Sequence, residues 1–229
     1  MQQVCFKGKR FVYFFLNFVQ IIKMFLQVLL LATRCILFNK PRSTITTNSD
    51  ELGRTTAIQS LYDSPNFPLE LINELDAVGR LDKNTSGLLL FTNSGDLIHH
   101  VTSTRSIPKT YRARIMGVPS LQLVDKMRAG VDLKGGLGMS APCIVEPDIQ
   151  HLLDESSSTS AGSTWLTITI TEGKNRQIRR MCHEIGHGCI DLKRIAIGGL
   201  NLSTVENEGD FRELTMNEIS QKLHFNPPF

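Results

Sequence analysis

The stretch VGRLDKNTSGLLLFTN, Val78–Asn93, sets a charged turn directly against a run of leucines. Flanked by turn residues and only a few residues long, GLLLFTN predicts a buried strand. An acid and two bases at the mouth of such a strand cost free energy unless they are paired, hydrogen-bonded or used. Working outward, CILFNKPR (Cys35–Arg42) predicts a second strand, ended by Pro41, which cannot donate to a central ladder. SGDLIHHVTS predicts a short helix entered at Ser94, with Asp96 in its first turn. KTYRARIMG and MSAPCIVEP predict strands, and SLQLVDKMRAG predicts a helix capped by Ser120 and stopped by Gly130.

WLTITITEG is the cleanest alternating strand in the chain, and NRQIRRMCHEIGHG predicts a helix ended by Gly188. LKRIAIGGLNL and FRELTMNEISQKL close the set as a strand and a helix; LELINELDAVG suits either. SDELGRTT is turn-like, and LLDESSSTSAGST is a polar loop. Strands and helices are interspersed without regular alternation, which predicts an α+β fold around a central, largely antiparallel sheet rather than a doubly wound parallel one.

The 229 residues carry 25 basic and 22 acidic side chains, a formal charge of +3. Residues 1–34 hold five of the basic residues (Lys7, Lys9, Arg10, Lys23, Arg34) and no acid, which leaves 20 basic against 22 acidic in the remainder. Any nucleic-acid surface must therefore be a local patch. Within the apolar leader, Asn17, Gln20, Lys23 and Gln27 fall on one helical stripe, and no uninterrupted apolar run reaches the ~18 residues of a spanning helix. Basic and acid-free, residues 1–34 are expected to target a mitochondrion or plastid, with anchoring, packing on the domain, or a cytoplasmic location as alternatives. A single folded domain is expected over residues 35–225. Five scattered cysteines suggest no disulfide framework.

Three basic and polar clusters are separated by core elements: Asn39–Arg42, Arg80–Lys83 and Lys174–Arg180. On a continuous helix Arg176, Arg179 and Arg180 share one face, an arrangement that is unfavourable unless an anion such as phosphate meets it. Alone, such a patch is most often a solvated face, Asp82 a turn aspartate, Tyr111 a half-buried strand residue and Arg80 a surface arginine.

Together, LFNKPR, VGRLDKNTSGLLLFTN, PKTY, EGKNRQIRRM and LKRIAIGGL, in this order, resemble the pseudouridine synthases, in particular the ribosomal-RNA-acting branch that includes RsuA. The resemblance runs from about Cys35 to Leu223. It implies an isomerase without metal or organic cofactor, acting as a monomer on RNA. Asp82 then falls on the essential aspartate, Tyr111 on the tyrosine that stacks on the target base, Arg179 on the arginine that pairs with the catalytic carboxylate, and Arg80 on the arginine that contacts RNA where the base leaves the stack. Lys40, Lys109, Arg176 and Arg180 complete the expected RNA-binding set. Ser43 stands where the family usually has glycine, and Ser94 where it usually has an acid. The small RNA-binding domain that usually precedes the catalytic domain has no counterpart expected in residues 1–34.

A second motif competes. HEIGH, His183–His187, formally matches the H-E-x-x-H of zinc hydrolases, with Glu206 or Glu208 as a third ligand. It needs both histidines on one continuous helix, yet Gly186 sits inside that turn and Gly188 follows it. A third reading is a non-catalytic RNA-binding protein on the same scaffold.

Overall fold

The computed structural model describes residues 33–47, 50–103, 105–148 and 162–226. The leader ahead of Thr33 and most of the polar loop Leu152–Thr164 lie outside the described residues. Arg34, counted above with the leader, belongs to the fold. Its N–H donates to Asn93 Oδ1 at 2.8 Å, its carbonyl accepts from Thr92 Oγ1, and its guanidinium pairs with Glu213.

The described strands form one mixed sheet. They are β1 (Cys35–Lys40), β2 (Asp76–Ala77), β3 (Ser86–Thr92), β4 (Lys109–Met116), β5 (Ile144–Pro147), β6 (Ser163–Ile170), β7 (Cys189–Ile197), β8 (Leu200–Asn201) and β9 (Phe211–Glu213). The order is β5-β6-β4-β7-β3-β1-β9, with β2 beside β3 and β8 beside β7. Every pairing is antiparallel except β3 with β7, which runs parallel over Ser86↔Lys193 and Gly87↔Arg194.

The leucine run now has its reason. Along β1 and β3 alternate side chains enter opposite cores. Leu37, Leu88 and Leu90 pack with Leu97 and Val101 of α2 (Gly95–Ser103) and with Ile219 and Leu223 of α5 (Met216–Leu223). Ile36, Phe38, Leu89 and Phe91 pack with Ala57, Ile58 and Leu61 of α1 (Ala57–Tyr62) and with Leu71 and Leu75. A strand covered on both faces is apolar throughout. On β4 and β6, by contrast, only alternate residues are buried: Thr164, and Ala113, Ile115, Leu166, Ile168 and Ile170, which pack against Val124 and Met127 of α3 (Leu121–Ala129) and Ile178, Met181 and Cys182 of α4 (Gln177–Glu184). The intervening Arg112, Arg114, Trp165, Thr167 and Thr169 keep solvent contact, with the Arg112 guanidinium 5.2 Å above the Trp165 ring.

Ser94 and Ser120 cap α2 and α3 as their positions predict, accepting from Leu97 N and Leu123 N. Other expectations need correction. LELINELDAVG becomes a 3₁₀ turn, Leu69–Leu71, followed by the two-residue β2. FRELTMNEISQKL divides into β9 and α5 at Thr215, whose hydroxyl and Glu218 form a reciprocal cap. The helix expected to run to Gly188 stops at Glu184, and Gly186 takes a left-handed φ of 83°.

Candidate active site

The turn Asp82–Thr85 lies at the mouth of β3, and its backbone is unusually well satisfied. Thr46 Oγ1 donates to Leu81 O at 2.9 Å and accepts from Leu81 N at 3.2 Å. Thr85 N donates to Asp82 O and Ser43 N to Lys83 O. Arg179 Nη2 donates to Asn84 O at 2.8 Å, and Lys40 Nζ to Thr85 O at 3.0 Å. Five consecutive carbonyls thus each accept a hydrogen bond, drawn from three separate parts of the chain. Such mutual support fixes a backbone without enlisting the side chain it presents.

That side chain is Asp82. Its carboxylate keeps about a third of its exposure and faces an open cleft of about 1060 Å³. Arg80, Lys83, Tyr111, Lys174 and Arg176 line the same cleft. Arg176 Nη1 stands 3.8 Å from Asp82 Oδ2. Arg176 holds a left-handed φ of 50° as the residue ahead of α4, a conformation that costs a non-glycine residue free energy and that concentrates at functional sites.

The expected ring of RNA-binding cations divides into two groups. Arg80 and Arg176 reach the cleft; four others are spent on the protein itself. Lys40 is fully buried, with Nζ also donating to Pro41 O, so it cannot meet a phosphate. Burial pushes its ammonium down to about 8, opposed by the charges of Glu208 and Asp82 and assisted by that of Arg194. Lys109 Nζ donates to Val101 O at 2.9 Å; burial, then the charge of Arg194, lowers its pKa. Arg180 donates to Leu133 O and Asn175 O. Arg179 binds Asn84 O and Cys189 O, so the ion-pair partner of Asp82 here is Arg176, not Arg179. Because Arg176 lies outside the helix, the three arginines do not share one helical face.

Sequence reasoning passed over Thr46, Ser43 as a backbone donor, and Arg194. The last is buried beneath the site and donates from Nε to Leu88 O at 2.7 Å. Ser43 sits at a φ of 67°, which accounts for the glycine expected there. Gly87, the second residue of β3, has a φ of 100°, and a Cβ at that position would stand 2.2 Å from Arg194 O. Only glycine lets β3 and β7 approach this closely, which accounts for the glycine inside TSGLLL.

The zinc reading loses its geometry. His183 projects from α4 into solvent, whereas His187 lies beyond the helix end with Nδ1 2.6 Å from Met116 O. Among the described residues, no group of three or more His, Cys, Asp or Glu side chains could hold a metal ion.

A carboxylate mounted on a fixed turn, beside a guanidinium and an aromatic ring in a cleft large enough for a nucleotide, is equipped for nucleophilic or proton-transfer chemistry on a flipped base. Comparison with known proteins agrees. Residues 34–184 match the family described as RNA pseudouridylate synthase. The chain is 34% identical over 188 residues to ribosomal large subunit pseudouridine synthase E of Vibrio vulnificus (strain CMCP6), covering 80% of this chain and 76% of that one. It is 36% identical over 186 residues to ribosomal large subunit pseudouridine synthase B of Bacillus subtilis (strain 168), covering 81% and 69%. A crystal structure of a pseudouridylate synthase superposes with a TM-score of 0.68 at 29% identity, covering 84% of this chain and 74% of that one.

Proposed function

The chain belongs to the RNA pseudouridylate synthase family, and from that premise we propose that it isomerises a specific uridine of ribosomal RNA to pseudouridine, with Asp82 as the reacting carboxylate. The observation that carries this reading is the Asp82 carboxylate itself, presented to the cleft by a turn whose carbonyls from Leu81 to Thr85 are all engaged. A uracil inside folded RNA is out of reach until it leaves the stack. Arg80 occupies the space it vacates, Tyr111 stacks on the extruded ring, and Arg176 steadies the carboxylate. The bond from N1 to the ribose breaks, the base rotates, and C5 joins the sugar in its place. N1 gains a proton and C5 gives one up, so the reaction balances without metal, organic cofactor or redox partner. The protein acts as a monomer, and residues 1–33 serve as a targeting leader for a mitochondrion or plastid.

Asp82→Asn tests the assignment. Asparagine keeps the size and hydrogen-bonding capacity of the aspartate but is neither a carboxylate nucleophile nor a base. The variant should bind ribosomal RNA transcripts as the wild type does, because phosphate contacts come from other residues. It should release no tritium from carbon-5-labelled uridine. Substantial isomerisation by Asp82→Asn would overturn the reading. Removal of residues 2–33 should leave activity on naked RNA intact and abolish organelle import; a deleted form that no longer folds would make the segment structural instead.

A further inference from the structure

Four cysteines lie among the described residues, and two of them share one place. Cys182, in the last turn of α4, is fully buried; Cys189 opens β7 and is half-buried. The chain reverses between them through Gly186 and Gly188, and His187 N donates to Cys182 O at 3.0 Å. Cys182 belongs to the core cluster against which Cys189 packs, close enough for the two thiols to influence each other, and Cys189 Sγ donates to Asp191 O at 3.3 Å. Packed cysteines serve by default as small apolar core residues. This pair departs from that default in its surroundings, because Arg179 donates to the carbonyl of Cys189 at 3.1 Å while its other terminal nitrogen grips Asn84 O in the turn that carries Asp82.

We propose that Cys182 and Cys189 form a peroxide-responsive thiol pair, whose disulfide slows the enzyme by drawing Cys189 away from Arg179 and so loosening the Asp82 turn. The slowing rests on the synthase reading given above; the disulfide does not.

The four thiols differ in the way this requires. Burial pushes Cys35 up to about 12 and Cys143 up to about 11, and Cys182 is raised by its bond to Cys189 and by burial. Cys189 alone among them is lowered, first by the hydrogen bond from Cys182, against the penalty of burial, and then by the charges of Arg179 and Arg176. The thiolate is the reactive form, so oxidation selects Cys189. Its sulfur attacks hydrogen peroxide, the O–O bond breaks, hydroxide leaves to become water, and Cys189 becomes a sulfenic acid. The sulfur of Cys182 then attacks that of Cys189. The S–O bond breaks, the S–S bond forms, and the departing oxygen takes the Cys182 proton as a second water. Two thiols and one peroxide yield one disulfide and two waters. A disulfide holds its sulfurs about 2.0 Å apart, closer than any unbonded pair, so the two sulfurs must draw together; the movement falls to Cys189, the first residue of β7. A displacement of about 1 Å at a catalytic support can cost on the order of 100-fold in rate.

The test treats the full reduced chain with hydrogen peroxide, maps its cysteines by peptide mass spectrometry, and follows tritium release and RNA affinity on the same preparation. Expected are a Cys182–Cys189 disulfide, a fall in turnover on the order of 10- to 100-fold at unchanged RNA affinity, and recovery on adding dithiothreitol. Cys182→Ser should keep the basal turnover and lose the reversible inactivation; Cys182→Ala replaces it if the buried hydroxyl prevents folding. The proposal is overturned if treated protein contains no Cys182–Cys189 disulfide, if the disulfide forms without slowing turnover, or if the Cys182 variants are inactivated and rescued like the wild type. Reduced protein that releases no tritium would break the functional reading, and the disulfide map would still show whether the thiols pair.

Discussion

The two halves of the sheet are built to different standards. Around β1 and β3 both faces are covered, and every residue of either strand is buried. Around β4 and β6 one face is covered, and the other shows Arg112, Trp165 and a row of threonines to solvent. The element that must not move, the Asp82 turn, is mounted on the first half. Tyr111, whose ring would meet a substrate, stands on the second, and the parallel contact of β3 with β7 joins them. Positional precision is concentrated where the proposed reacting carboxylate is attached.

Core truncation should expose the difference most strongly. Leu89→Ala, in the doubly covered half, should cost about 2–5 kcal/mol in denaturant unfolding, the range for a buried leucine. Thr167→Ala on the open face should stay within about 0.5 kcal/mol. Equal losses would mean that the two halves share one standard of packing.

Lys40 sharpens the contrast through pH. Its folded pKa of about 8 lies below the ordinary lysine value of 10.5. Between those values the unfolded chain holds a proton that the folded chain does not, so the stability of the wild type rises with pH across that window. The burial cost stands in full below about pH 8 and fades above it. The unfolding free energy of the wild type minus that of Lys40→Met should therefore rise by about 2–3 kcal/mol from pH 7 to pH 10. A flat difference would show that the ammonium stays charged inside the fold.

Arg179→Ala removes a support of the turn without touching the reactant. It should reduce kcat on the order of 100-fold while RNA affinity changes little, and Arg179→Lys should recover part of the loss. Arg180→Ala, which frees only Leu133 O and Asn175 O, should leave kcat nearly unchanged. Similar losses at both positions, expressed as weaker binding, would reduce the pair to a generic basic patch.

The smallest effect belongs to the sheet edge. The Arg212 guanidinium beside Glu218, with the Thr215 N–H and hydroxyl, holds the Glu218 carboxyl at about 2 against an ordinary 4.5. That stabilisation is complete above about pH 4.5 and lost as the pH falls towards 2. Solvent screening limits it to about 1 kcal/mol. Acid unfolding of Glu218→Gln should show that much less dependence on pH across the window.

What could be read in advance follows the range of the forces involved. The β3 run, the Ser94 and Ser120 caps and the alternation of β6 are local patterns, and they are found where the sequence predicts them. The short α1, the early end of α4 and the division at Thr215 are settled by what packs against them. The site divides in the same way. Asp82, Arg80 and Tyr111 carry a motif signature and reach the cleft. The exchange between Arg176 and Arg179 does not follow from spacing, because Arg179 is turned by Asn84 O, far away in sequence, and Arg176 by a left-handed backbone. Lys40 in NKPR looks like a surface cation, and only the strands around it reveal that it is buried.

The clamp on the Asp82 turn also sets an order of events during synthesis. Its donors include Ser43 and Thr46 near the start of the domain, but Arg179 follows Asn84 by 95 residues. At roughly 5–20 residues per second, a ribosome spends several seconds between the two, during which the turn exists without its last fastener. Pairings of such long sequence separation form late and slowly. A chain broken off before α4 would carry Asp82, Arg80 and Tyr111 and still lack a fixed carboxylate. Truncated products would be poor modifiers of the RNA they touch, and competence would arrive only with the last third of the chain.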